Sequence, residues 1–369
     1  MLKVLLYPFS LLYGIFVYFR NRMYDLNILK STEFDVPVVS VGNITVGGTG
    51  KTPHVEYMIE LLKDKFQVAT LSRGYKRKSK GFKRVEESSS VSNVGDEPLQ
   101  IKKKFPEVTV SVCENRVKGV EQLLENPDIK SPDVILLDDA FQHRRITAGI
   151  NILLIDYNRP LNKDRLLPAG RLREGVAQMR RANIIVFTKC PPSEVTPIMR
   201  RILQKDVRLK PYQELFFTTF DYGKIKPVFQ GIRVPDEFYQ AKNYTVLVVA
   251  GIASPDIIPE YLGQFAAETQ LVCFSDHHNY SESDIRLIMN KFERIDSAKK
   301  IIVTTEKDAV RLAEMPGLDE QFKSVLYYLP VKVKFLDEEG KMFNKKILNY
   351  VGENKSNREL HRRTNRSQA

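Results

Sequence analysis

The sequence predicts an α/β protein of two domains, each a mostly parallel sheet covered by helices. Short, apolar, β-branched runs alternate with helix-like stretches along most of the chain, which is the pattern of parallel strands buried on both faces. One such run, Val38 to Val41, leads into a glycine-rich loop and then a helix-like stretch from Pro53 to Leu62. Near residue 214 the texture changes and a second alternation begins. A chain of 369 residues is long enough for two cores of ordinary size.

The first domain is expected over residues 25–213. Its further strands are expected at Gln67–Leu71, Val108–Val112, Val134–Leu137, Asn151–Ile155 and Asn183–Phe187. Helices are expected at Glu97–Lys104, Asn115–Leu124 and Ser193–Leu203. Two connecting segments, 214–229 and 329–349, carry the strand-like runs Leu215–Phe220 and Val331–Phe335 and read as a two-stranded linker. Between them, residues 230–328 read βαβαβα and form a smaller α/β domain. Ser254-Pro255 is its first helix start, with serine as N-cap. Residues 354–369 read as a disordered basic tail.

The N-terminus, residues 1–24, is a separate element. From Leu2 to Phe19 the only charge is Lys3, and Arg20 and Arg22 follow. A bilayer span needs about 20 apolar residues and Pro8 disrupts the first turns, so a helix lying in a membrane interface fits better than a crossing one. A core helix is the rival reading. The segment after Phe19 lacks the small-residue site of a cleaved signal.

The net charge of +12 favours an anionic partner: nucleic acid, a phospholipid surface or a phosphorylated substrate. Seven of the twelve residues from Arg73 to Arg84 are basic. The three cysteines, Cys113, Cys190 and Cys273, are scattered in or beside apolar runs and read as reduced, buried thiols.

The loop itself, Gly42 to Thr52, ends in Gly47-Gly48-Thr49-Gly50-Lys51-Thr52. Between a strand and a helix, such a loop turns backbone N–H groups toward phosphate oxygens. Lys51 reaches the β and γ phosphates, and the Thr52 hydroxyl can ligate Mg²⁺. Thr45 and Val46 begin the cradle, with Thr45 where a glycine usually stands. The first domain is therefore expected to be of the phosphate-loop NTPase type. Thr188-Lys189-Cys190-Pro191 lacks the aspartate that would read guanine, which favours ATP.

Val134 to Leu137 ends in Asp138 and Asp139. A carboxylate at the end of a strand beside a phosphate loop holds Mg²⁺, directly or through water. Asp138 is assigned to the metal, and Asp139 to a water, a second ligand or a catalytic partner. Gln142 follows at the same mouth. Arg173 can clamp a phosphate, and Glu174 is placed as a further Mg²⁺ ligand. Two readings stand for Asp96 in Val94-Gly-Asp96-Glu-Pro98: a helix N-cap, or the carboxylate that takes the proton from an acceptor hydroxyl. Asp276, His277 and His278 end a second-domain strand, where open sheets bind ligands. Either histidine could face a carboxylate across the cleft, and a structural turn is the alternative. Ser281 and Asp284 should form a helix cap. Thr305-Glu306-Lys307-Asp308 reads as a charged helix start.

These motifs in this order resemble the tetraacyldisaccharide 4′-kinase family. The matching stretches are Val41–Pro53, Leu71-Ser-Arg73-Gly-Tyr75, Val94–Pro98, Leu137–His143, Leu167–Gly170 with Leu172–Glu174, Phe274–His278 and Thr305–Val310. The resemblance implies a monotopic enzyme on the cytoplasmic face of the bacterial inner membrane. It would transfer the ATP γ-phosphate to the 4′-hydroxyl of tetraacyldisaccharide 1-phosphate, with Mg²⁺. It implies Asp96 as base and His277 as its partner, and a lipid partner rather than nucleic acid or an obligate protein. Arg73, Tyr75, Gln142 and Arg173 would then bind the substrate, with Tyr75 and the basic stretch positioning the saccharide phosphate. A membrane-associated partitioning or switch ATPase is the alternative function.

Overall fold

The computed structural model describes residues 5–366, with side chains described through Ser356. Residues 1–4 of the N-terminal segment and 367–369 of the tail lie outside the described residues.

Among the described residues, fourteen strands divide into two sheets. The first comprises β1 (Val38–Gly42), β2 (Val68–Ser72), β3 (Lys83–Arg84), β4 (Thr109–Val112), β5 (Val134–Asp138), β6 (Ile150–Asp156), β7 (Ile184–Thr188), β8 (Glu214–Tyr222) and β14 (Val331–Phe335). Their order is β14-β8-β7-β6-β1-β5-β2-β4-β3. The second sheet holds β9 (Lys226–Pro227), β10 (Thr245–Ala250), β11 (Glu268–Cys273), β12 (Lys300–Thr305) and β13 (Leu326–Leu329), in the order β11-β10-β12-β13-β9. All pairs of the second sheet are parallel except β13 with β9.

The helices are α1 (Tyr7–Asp25), α2 (Lys51–Leu62), α3 (Asp96–Lys104), α4 (Arg116–Glu125) and α5 (Pro197–Asp206). In the second domain they are α6 (Ile257–Leu262), α7 (Glu282–Glu293), α8 (Glu306–Leu312) and α9 (Glu320–Val325). The last, α10 (Glu339–Arg366), returns to the first domain, where Phe343, Ile347 and Val351 join its core.

Residues of β5 illustrate why the sheet is buried on both sides. Val134 and Leu136 pack into one hydrophobic cluster, Ile135 and Leu137 into another, as the period of two requires. At the centre, β1 lies between β5 and β6, and Val41 is paired with Asp138 in register. The loop after β1 and the acid after β5 therefore emerge side by side, at the carboxyl ends of parallel strands, where such sheets bind ligands.

Several expectations need correction. The linker strands do not stand apart: β8 is parallel to β7 and extends the large sheet, with β14 antiparallel on its edge. After Phe335 the second connection turns into α10 and not into more strand. The chain from 354 onward is helical to Arg366, consistent with a stretch that has no Gly or Pro after Gly352. Ser254 is not a cap; Asp256 precedes α6 and Ser254 accepts a hydrogen bond from Arg159. Thr196, with Pro197 next, starts α5 four residues later than expected, its hydroxyl accepting from the Met199 N–H. Cys113 and Cys190 are buried, but Cys273 is exposed on edge strand β11.

The N-terminal α1 is not a core helix. Ser10, Val17, Asn21 and Tyr24 face the protein, while Leu11, Leu12, Phe16 and Phe19 are each more than 60% exposed. No described helix is long and apolar enough to cross a membrane.

Candidate active site

The phosphate loop starts α2 directly, with Gly50 as its N-cap at φ +82 and Lys51 as the first helical residue. Gly47, at φ +106, makes the other left-handed turn. Thr45 needs no glycine: it has no positive φ, and its backbone bridges Leu172. The Val46 N–H donates to the Arg171 carbonyl at 2.8 Å, and the Arg173 N–H to Ile44 at 2.7 Å. The 171–173 segment thus braces the loop. Thr49 is buried, its hydroxyl accepting from Asn43 at 2.8 Å and its carbonyl from Thr188 at 3.0 Å. His54, one turn into α2, places Nδ1 2.8 Å from the Gly50 carbonyl and Nε2 3.1 Å from the Thr218 hydroxyl. Burial pushes its imidazole down to about 4, so it stays neutral and ties the left-handed glycine to the helix.

Lys51 lies 3.8 Å from Asp139, which also receives Arg173 at 2.8 and 3.0 Å. Burial would raise the Asp139 carboxyl, but Lys51 and Arg173 outweigh it and hold it below the usual range. Asp139 sits at φ +48, a backbone state Asp tolerates better than most residues. Arg173 also approaches the Gln142 side-chain oxygen at 3.4 Å, and Gln142 donates to the Asn43 carbonyl at 2.8 Å.

Asp138 differs from its neighbour. Burial, then the charges of Glu97 and Asp139, push its carboxyl up to about 7 despite Lys51 and Arg116. Its Oδ1 is buried without a hydrogen-bond partner. An orphaned carboxylate oxygen beside a phosphate loop fits a divalent cation, which would replace the missing partner and favour the ionised form. The buried Thr52, one residue after Lys51, is the other protein donor that suits Mg²⁺. Among the described residues no cluster of three or more His, Cys, Asp or Glu forms a metal cage, as expected where phosphate and water complete the shell. Glu174 is anchored by one oxygen only: its Oε2 accepts from Arg181 at 2.6 Å and Asn21 at 3.0 Å, in a buried contact with α1. Its Oε1 is buried without a hydrogen-bond partner, as Asp138 Oδ1 is, so that oxygen has the same chemistry to offer a divalent cation.

A second cluster spans the two domains. Asp96 opens α3 but does not cap it, because Gly95 is the N-cap. Its carboxylate meets His277 Nδ1 at 3.0 Å and the Arg311 guanidinium, with Lys307 at 3.8 Å. Burial opposes the charge, but the His277 hydrogen bond and the cations of Lys307 and Arg311 prevail, so Asp96 is held well below the usual carboxylate range. On the other side of the imidazole, Lys307 Nζ is 2.9 Å from Nε2. His277 is at φ +57 and its ring lies edge-on to Tyr75 at 4.8 Å. His278 points elsewhere, to Asp284 at 3.0 Å, within the Ser281–Asp284 capping box. Of the two histidines, only His277 faces a carboxylate of the first domain.

The clusters communicate. Glu97, next to Asp96, pairs with Lys307 at 3.4 Å and raises the Asp138 carboxyl through space. A cavity of about 250 Å³ opens beside Asp96, between Tyr75, Lys76 and Lys78 on one side and Tyr280 and Arg311 on the other. Tyr75 is exposed and lines this cavity, and Arg73 is exposed two residues before it. Arg77 is not available there: its side chain is 2% exposed, bonding to Glu114 at 2.6 Å and to the Gly81 carbonyl.

Sequence reasoning missed Lys307, seen only as part of a charged helix start, and Arg311, which lies beyond it. They lie four apart, hence on one face of α8, and that spacing was the available signal. It also missed Arg116, buried behind β5, whose guanidinium donates to the Cys113 carbonyl at 2.6 Å and the Asp138 carbonyl at 3.3 Å.

A family model described as "Tetraacyldisaccharide-1-P 4'-kinase" matches residues 2–351. The chain is 47% identical to the tetraacyldisaccharide 4′-kinase of Phocaeicola vulgatus, over 95% of this chain and 96% of that one. It is 45% identical to that of Bacteroides thetaiotaomicron, over 99% and 97%. The crystal structure of the "apo" form of LpxK from Aquifex aeolicus in complex with ATP is similar at a TM-score of 0.72 and 34% identity, covering 95% of this chain and 99% of that chain. With the phosphate loop, the acid pair and the interdomain histidine in this arrangement, the chain belongs to the tetraacyldisaccharide 4′-kinase family.

Proposed function

We propose that this protein is an ATP-dependent kinase that phosphorylates the 4′-hydroxyl of tetraacyldisaccharide 1-phosphate, giving lipid IVA in lipid A biosynthesis. The observation that carries the reading is the Asp96–His277 pair, 3.0 Å apart across the domain cleft from the phosphate loop. A hydrolytic switch has no need of a carboxylate and an imidazole from two domains at the acceptor side.

In this reading the phosphate loop, Thr45 to Thr52, cradles the ATP phosphates, with Lys51 neutralising the oxygens nearest the transferred group. Thr52 and Asp138 would hold Mg²⁺, which would supply neutralisation of the phosphate charge. Asp139 keeps Lys51 and Arg173 in place. Asp96 takes the proton of the attacking hydroxyl while His277 orients it. Breaking the bond between the γ-phosphorus and the β-bridging oxygen leaves ADP, and the phosphoryl group joins the sugar oxygen. Most of the rate gain is positioning and electrostatics.

The acceptor is amphiphilic, and the exposed apolar face of α1 suits the surface that holds it. Leu11, Leu12, Phe16 and Phe19 enter the acyl boundary while the exposed Arg22 meets anionic headgroups. Tyr13 donates to the Arg173 carbonyl at 2.8 Å and Arg20 to the Gln142 carbonyl at 2.5 Å, so the helix buttresses two residues assigned to the substrate. The site then works at the cytoplasmic face of the inner membrane, where ATP is present.

Transfer of radiolabelled γ-phosphate from ATP to tetraacyldisaccharide 1-phosphate in detergent micelles tests the reading. Labelled lipid is the expected product. A folded, ATP-binding protein that releases only inorganic phosphate would overturn it.

A further inference from the structure

Arg159 belongs to no motif that pointed to function. It follows β6 and lies over the phosphate loop. A Cβ built on Gly47 would meet its NH1 at 2.7 Å, so the guanidinium lies against the backbone of the loop. Its NH2 donates to the Ser254 hydroxyl of the second domain at 3.0 Å, and its Nε is 3.7 Å from Asp156. The same loop touches the second domain at Gly48, where a Cβ would lie 3.5 Å from that of Ala253.

The charge balance around Arg159 is uneven. Asp156, buried at the end of β6, is paired at 2.8 Å with Lys189, the closer cation. Arg159 is therefore a second cation on one carboxylate, and it is the less well neutralised of the two. Among the described residues its NH1 has no hydrogen-bond acceptor. A guanidinium over a phosphate cradle, 23% exposed and sharing its one carboxylate with a closer cation, is placed to take an anion. The reacting phosphate must face the cleft, because Asp96 and His277 meet across it. Arg159 is on the cleft side too, since it reaches Ser254.

We propose that Arg159 is a further catalytic residue, an arginine supplied in cis that contacts the terminal phosphate of the nucleoside triphosphate and stabilises its charge during transfer. It rests on the kinase reading above. As the phosphoryl group passes from the β-bridging oxygen to the acceptor hydroxyl oxygen, Arg159 donates hydrogen bonds to its equatorial oxygens and exchanges no proton. The proton of the hydroxyl goes to Asp96. Its bond to Ser254 makes the same contact sensitive to the seating of the second domain, so the arginine is fully placed when the cleft is closed.

The test compares Arg159→Ala, Arg159→Lys and Ser254→Ala with the wild type. Two readouts are needed: steady-state transfer to the lipid, and separate calorimetric titrations with Mg²⁺·ATP and Mg²⁺·ADP. Arg159→Ala is expected to lower kcat by about a hundredfold or more, as loss of a transition-state arginine does. It should weaken ATP binding by about tenfold more than ADP binding. Arg159→Lys should recover little of the lost rate, because a point charge lacks the planar fork. Ser254→Ala should lose less than Arg159→Ala on both readouts. Turnover of Arg159→Ala within about threefold of wild type would overturn the proposal, since a transition-state arginine supplies far more. Equal loss of ATP and ADP affinity would overturn it as well, by reducing Arg159 to a strap on the loop. Wild-type protein that binds ATP but does not label the lipid would sink the kinase reading, while the ATP-against-ADP comparison would still decide the role of Arg159.

Discussion

Asp96 and His277 come from different domains and meet at 3.0 Å, although 181 positions separate them in the chain. Arg311 and Lys307, one turn apart on α8, enclose the pair from the second domain. The carboxylate is thus kept ionised by cations that arrive only when the domains are together. Asp96→Asn keeps the shape and removes the charge. It is expected to lower kcat by about a hundredfold or more, the usual contribution of a positioned base. It should also cost about 3 kcal/mol of stability, because the buried Arg311 loses its counter-ion. Kinetics well below the melting temperature, beside a denaturant titration, separate the two effects. A kcat within threefold of wild type would return Asp96 to a structural ion pair.

Glu56 on α2 shares one cation with Glu306 on α8: Lys104 lies 2.7 Å from the first and 2.9 Å from the second. Burial, then the charge of Glu306 against that of Lys104, pushes the Glu56 carboxyl up to about 7. The folded protein therefore holds this proton to a higher pH than the unfolded chain does. The stability tied to it is complete at low pH and is lost as the pH rises toward and through about 7. Glu56→Gln retains a hydrogen-bonding side chain beside Gln100 and Lys104 without the second negative charge. Its melting temperature should exceed that of wild type at pH 8 by more than at pH 6. Parallel melting curves at all pH values would show that the carboxylate pair is not the source.

Much of this was legible because local rules and the fold agree. Val38–Val41, Gly47–Thr52 and the run ending in Asp138-Asp139 each combine an apolar strand with a polar end. Parallel pairing then has to bring those ends together. Asp96 was ambiguous for a physical reason. Before a helix, Asp, Glu and Pro look the same whether the acid caps its own helix or reaches to another domain. For Glu174, position in a charged loop does not say which way a side chain turns. Packing fixes one of its oxygens on Asn21 of α1 and Arg181 and leaves the other buried without a partner. Lys307 and Arg311 share a helix face by their spacing, but no spacing in sequence shows that the partners of these two, or of Arg159, lie across the domain boundary.

The basic stretch after β2 divides into two kinds of residue. Arg77 is buried and holds Glu114 and Gly81, whereas Lys78 is exposed at the cavity beside Asp96. Arg77→Ala should therefore act on stability, by about 1–3 kcal/mol as for other broken buried networks, and lower the order of the 74–84 loop. Lys78→Ala should leave the melting temperature close to wild type and raise KM for the lipid acceptor. The KM effect should shrink with added salt, because an exposed charge is screened. The same outcome for both variants would erase the distinction drawn from burial.

The last prediction concerns α1. Its inner face is fixed: the Ser10 hydroxyl donates to the Leu166 carbonyl at 2.9 Å and Asn21 donates to Glu174 at 3.0 Å. Its outer face, with Leu12 at 64% and Phe16 at 67% exposure, contacts no protein core. Leu12→Ser with Phe16→Ser removes apolar area from that face alone. Burial of each such side chain is worth about 1.5–3 kcal/mol, so the double variant should lose about a hundredfold in affinity for anionic phospholipid vesicles. Its melting temperature without vesicles should hold, and so should its KM for ATP, because Lys51 to Thr52 are untouched. In a vesicle-based transfer assay, KM for the lipid should rise. Tyr13→Phe provides the contrast: it removes the bond to the Arg173 carbonyl without changing the outer face. Vesicle binding should survive in Tyr13→Phe, with kcat for the lipid reduced. Wild-type vesicle binding by the double serine variant would leave the apolar face without a membrane role.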